Sequence, residues 1–241
     1  MKKVLVALAV LLLFALGAVY WAYHSLDYLV KEALEHFGPD VTGVTVKVGA
    51  VHLSAQDGRG SLKAVEIGNP KGFAAVRAAR LGEIRVALDP LTITDPVVVI
   101  RELAIEAPEI TYERAANSTN LDVIQRNIES YVKRGAAATS TGEATPKGLA
   151  KRYVIQQLTI RNARVTMTNP ALKGQGISFN LPDVVLRDLG KRSNGITAAE
   201  VASVVSATLI AKISQKVLAN VELVRKGGTE GAVDALKSLL K

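Results

Sequence analysis

Three histidines, His24, His36 and His52, are the first residues to weigh as metal ligands or proton carriers. Their spacing makes no zinc pair: no His-Glu-x-x-His occurs, and His24 stands at the end of an apolar stretch. Gly58 and Gly60 in QDGRGS lack the further glycine and the lysine of a phosphate loop, so they read as a hairpin turn between strands. No Gly-x-Ser-x-Gly is present, and Glu102 with Glu106 falls at the spacing of an exposed strand face. Asn117-Ser118-Thr119 is a formal glycosylation sequon that reads as a polar loop. The chain has no cysteine, which excludes disulfides, thiolate metal sites and thiol catalysis. The expectation is a protein that is not an enzyme and uses no cofactor and no metal.

Composition narrows the partners. The 241 residues are half apolar but only 5% aromatic, a poor supply of stacking platforms, so nucleic acid is not an expected partner. The net charge of +8 is spread along the chain without a dense run. From Val4 to Tyr23 twenty residues carry no charge, enough at 1.5 Å per residue to cross roughly 30 Å of hydrocarbon. Lys2 and Lys3 precede this stretch and no positive excess follows it, which places the N-terminus inside and the body outside. Tyr20, Trp21 and Tyr23 supply headgroup anchors at its far end. A cleaved signal peptide is the rival reading, and both readings export the body.

The exported part opens on a short amphipathic helix over 25–37, with Leu26, Leu29, Val30, Ala33, Leu34 and Phe37 at helical spacing, ending at Gly38-Pro39. Period-two strands follow, with Val44, Val46 and Val48 and then Ile84, Val86 and Leu88 on one face. ELAIEAPEITY at 102–112 lies over QLTIRNARVTM at 157–167 with an offset of 55 residues, each copy two short strands joined by a kink. Between the copies come a helix with Leu121, Ile124, Ile128 and Val132 on one stripe, and a linker of about residues 135–151. A strand at 177–181 follows the second copy. Thr197-Ala-Ala-Glu200 is a capping box opening a long helix, and Gly227-Gly228 separates it from a last helix over 229–240.

LKAVEIGNPKGF at 62–73 resembles the N-terminal region of AsmA-family proteins, which share the string Gly-Asn-Pro-x-Gly-Phe after an alternating strand. The N-terminal apolar helix, LGEIRVAL at 81–88, the segment from Leu103 to Ile110 and Asn120-Leu121 opening a helix agree in order. The likeness covers about the first 130 residues and extends loosely to about 190. Gly68, Asn69, Pro70, Gly72 and Phe73 form the motif turn. The resemblance implies a cell-envelope protein whose curved sheet presents an apolar groove for phospholipid traffic or outer-membrane assembly. One-sided strands and this likeness together make Val86, Leu103, Ile105, Leu158, Ile160 and Phe179 the groove candidates.

The expected fold is α+β: an N-terminal transmembrane helix, a curved antiparallel β-sheet with an apolar face, accompanying amphipathic helices and a helical C-terminus. Residues 1–25 are the anchor, 26–190 the β-rich domain and 196–241 the helical end. The expected site is a bacterial inner membrane, single-pass, with the body in the periplasm. Its expected partners are the membrane, phospholipid, and an envelope protein or a second copy. About nine strands at 4.8 Å make a sheet of roughly 45 Å, too short to bridge two membranes alone. The alternative is a scaffold that binds a protein partner, its apolar sheet face being a core covered by helices.

Overall fold

The structure is a computed structural model that describes residues 26–54, 56–115, 118–140, 151–168 and 177–226. The expected membrane span at 4–23 and the final helix at 229–240 lie outside these residues. Among the described residues no helix is long and apolar enough to cross a membrane.

Helix α1 spans 26–42, and β1 (Val46–Ser54), β2 (Arg59–Gly68) and β3 (Arg77–Leu88) follow as a meander. Then come β4 (Val97–Glu106), β5 (Glu109–Ala115), the two-residue β6 (Ser118–Thr119) and α2 (Asn120–Ser140). Strands β7 (Arg152–Arg161), β8 (Arg164–Thr168), β9 (Ile177–Asn180) and β10 (Val184–Leu189) lead to α3 (Ala198–Lys226). Helix α2 runs to Ser140, so the first residues of the expected linker are helical. The capping box is formed: Thr197 N donates to Glu200 Oε2 at 2.6 Å, and Glu200 N to Thr197 Oγ1 at 3.2 Å.

Ten strands make one curved, open sheet among the described residues. It is mixed, which corrects the antiparallel expectation. Strand β4 runs parallel to β7, Val97 facing Arg152 through Glu106 facing Arg161, and β5 runs parallel to β8, Glu109 facing Arg164 through Glu113 facing Thr168. Every pair is 55 apart, so the two copies of the sequence repeat lie side by side in register. The physical reason is α2, since a parallel return needs a crossover of a dozen or more residues and this helix supplies it. Because β4 leads directly into β5, β7 into β8, and β9 into β10, the nine longer strands make only six ranks, and the two-residue β6 pairs with the end of β5. The outer ranks are about 24 Å apart at 4.8 Å per step, shorter than nine separate strands would give.

Two creases curve the sheet. The first passes Ala64 (φ 52°), Gly82, Ala107 (φ 47°) and Asn162 (φ 55°); Ala64 and Gly82 drop out of the β2–β3 ladder between Lys63↔Glu83 and Val65↔Leu81, with the register unchanged. Left-handed residues inside strands break the regular pleat at this line. They also bring residues three apart to one side, so Leu62 with Val65 and Leu81 with Ile84 share a cluster. The second crease lies at Arg101, Gln156 and Asp188 (φ 54°); there Ile100 with Leu103 and Ile155 with Leu158 face the same core.

Helix α1 departs from the expected arrangement. It continues through Gly38-Pro39 and ends before Gly43, whose N–H donates to Pro39 O at 2.8 Å. The clash between a proline ring and the preceding Cβ is absent when that residue is glycine. Only Val30 of the expected stripe packs on the sheet, whereas Leu26, Leu29, Leu34 and Phe37 are exposed. The sheet-facing side is charged: Val48 N donates to Glu35 Oε1 at 2.8 Å, Leu53 N to Asp27 Oδ1 at 2.9 Å, and Lys31 Nζ to Gly49 O at 3.4 Å. Outward backbone groups of the edge strand β1 are thereby satisfied.

Tyr153 of β7 packs against the core, and burial pushes its phenol above the ordinary value. The neutral form is favoured on folding, so this contribution is complete below the unfolded pKa of about 10 and is lost as pH rises above it. Melting temperature is expected to fall as pH rises past that value, and Tyr153→Phe to make the decline shallower.

Candidate functional site

The sheet's inward side is a set of apolar rows. Ile84, Ile105, Ile160 and Val184 lie side by side, and so do Val86, Leu103, Leu158 and Leu186. A third row carries Ile110, Val165 and Phe179. Of the six groove candidates, Val86, Leu103 and Leu158 share one row, Ile105 and Ile160 the next, and Phe179 stands apart beyond the first crease. All six belong to one continuous cluster.

Helix α3 lies over this cluster with Val201, Val205, Leu209, Ile213 and Val217 at four-residue spacing. Val204 and Ala207, on the other side of this helix, are exposed. Helix α2 covers the far panel through Ile124 and Ile128, with Leu121 and Val132 beside them. Leu158 and Ile213 are 0% exposed and Ile160 is 1%, so the middle of the face is closed. Where α2, α3 and the end of α1 meet over the sheet, a recess of about 190 Å³ remains. Ala78 and Ala79 lie below it and Ala202 and Ser206 above, and these small side chains create the space.

The outward side is charged. Lys63, Glu83, Glu106 and Arg161 form a cross-strand row; Arg85 reaches Glu83 at 2.9 Å and Glu106 at 3.1 Å, and Arg161 stands 3.5 Å from Glu106. These carboxylates are paired with guanidinium groups at the surface, an arrangement worth little energetically and unlike a convergent acid and base. His52 lies 3.8 Å from Asp27 and is exposed, and His36 meets Phe37 edge to face. Among the described residues no group of three His, Asp or Glu could hold a metal ion.

The motif turn has a buried polar clasp. Glu113, 1% exposed, accepts from Ala74 N at 2.6 Å, from Ala75 N at 2.9 Å and from Asn69 Nδ2 at 3.0 Å. Asn120, fully buried, donates to Asn69 Oδ1 and to Thr111 O, both at 2.8 Å, and accepts from Glu113 N at 2.9 Å. The motif residues now have reasons. A Cβ on Gly68 would collide with Thr45 Oγ1, and Gly72 has φ 94°. Pro70 is buried and its carbonyl accepts from Phe73 N at 3.4 Å. The turn is therefore locked onto β5 and the start of α2. Sequence reasoning missed Glu113; the signal was two asparagines, Asn69 and Asn120, that needed a common partner. The cap of α2 is formed by Thr119 and Asp122, which exchange hydrogen bonds at 3.1 Å.

No protein-family model matches the chain, and no curated protein matches it either.

Proposed function

We propose that this chain is a non-catalytic, AsmA-like protein of the bacterial envelope. Its N-terminal apolar segment holds it in the inner membrane with the body in the periplasm. There its apolar sheet face handles acyl chains in lipid traffic or outer-membrane assembly. The observation that carries the reading is the one-sided sheet: five groove candidates fall in two adjoining rows under an amphipathic helix, and two of them, Ile105 and Ile160, line the recess it leaves. Concave, mainly apolar sites are where proteins take up apolar ligands. With outer ranks about 24 Å apart, the sheet works beside its own membrane or joins a larger assembly.

A second reading, a scaffold whose apolar face is simply a core, is favoured by the complete burial of Leu158 and Ile213. Site-specific photocrosslinking separates the two. A benzoylphenylalanine at Phe179 or Leu103 of the full chain in cells is expected to give adducts of lipid mass, with none at Arg101. Protein adducts without lipid would transfer the proposal to the scaffold.

A further inference from the structure

We propose that the recess between α2, α3 and the sheet is a binding site for one short, unbranched hydrocarbon chain, the tail of a single-chain amphiphile. A diacyl lipid does not fit it. This deepens the acyl-handling reading above and rests on it.

Size and wall chemistry select the ligand. Ile110 and Ile160 rise from the sheet, Ile124 and Ile128 come from α2, and Leu209 and Ile210 from α3. The one proton of the Ser206 hydroxyl, above the recess, is taken up by Ala202 O at 2.8 Å or Gln125 Oε1. A headgroup carried inside would lose its hydration without gaining a partner, so only hydrocarbon enters and the polar end stays outside. Apolar cavities of about 150 Å³ stay dry and take up benzene. On that scale the 190 Å³ recess accepts a tail segment of about six to eight carbons. Pockets that enclose larger ligands run from about 300 to 1,000 Å³, beyond what this one offers.

The capacity is set by particular side chains. Ala202→Leu places three further carbons in the recess, whereas Ile210→Ala removes three from its wall. Opposite shifts in chain-length preference are therefore expected from two positions on one helix.

The test uses the full chain in phosphatidylcholine nanodiscs with two photoprobes: octanoic acid with a terminal diazirine, and a diacyl phosphatidylcholine with the same diazirine on one tail. Octanoic acid is expected to label peptides within 121–128 and 202–210. Ala202→Leu should cut that labelling about tenfold, and Ile210→Ala should move the preference to the decanoic homologue. Val204→Leu, on the exposed side of α3, should change neither. If Ala202→Leu unfolds the protein on a melting curve, the Ile210→Ala chain-length shift decides alone. Labelling that neither variant alters overturns the proposal. Equal labelling of the same peptides by the diacyl probe overturns the single-chain claim and leaves the acyl-handling reading standing. Failure of both probes to label the apolar face overturns both.

Discussion

Leu158→Asp is expected to prevent folding. Leu158 is 0% exposed, midway along β7, between Leu103 on one neighbour and Leu186 on the other, in the cluster roofed by α3. A carboxylate there meets only hydrocarbon; ionised it has no partner, and protonated it still lacks a hydrogen bond. Adding the lost packing of a leucine, about 2–5 kcal/mol, brings the cost close to the whole stability of about 5–15 kcal/mol. The expected result is loss of the cooperative melt and rapid proteolysis of β7. The neighbouring Gln157 points to the charged side opposite Glu102, so Gln157→Lys should change stability by under about 1 kcal/mol. Comparable damage from both substitutions would refute the assignment of faces.

Glu113→Ala is expected to cost about 3–6 kcal/mol, because it strands three donors in a buried place: Ala74 N, Ala75 N and the Asn69 amide. At about 2–4 °C per kcal/mol for a chain of this size, the melting temperature should fall by roughly 10–20 °C. Glu113→Gln keeps one acceptor oxygen and should lie between the two. Hydrogen exchange should localise the damage to the turn at 68–75 and the start of α2. Calorimetry that finds Glu113→Ala within a degree or two of the parent chain would show that the clasp does not hold the turn.

These expectations depend on features the sequence exposed to unequal degrees. The α+β class, the stripe on α2, the capping box and the repeat were legible because each is a local pattern with a local cause. Direction was not, since an offset of 55 is compatible with either strand order until the crossover through α2 is seen. The creases were hidden as well: strict alternation sets Ile100 against Leu103, and an extra residue at Arg101 puts them on one side. Helix α1 misled for another reason. Its apolar spacing is real, but backbone groups along β1 drew the charged stripe to the sheet instead. Among the site residues, all six groove candidates lie in the core cluster, while the recess depends on small residues that periodicity does not weigh. Glu113 was not singled out, because burial with three backbone and amide donors is a property of the assembled turn.

The arrangement of α1 bears on how the molecule can be handled. Asp27 and Glu35 occupy positions along β1 that another extended chain would otherwise take up. A soluble fragment cut to begin after Thr42 would lose this end-stop and present a raw ladder to its neighbours. Such a fragment should polymerise, whereas one that retains the helix from Leu26 should stay dispersed.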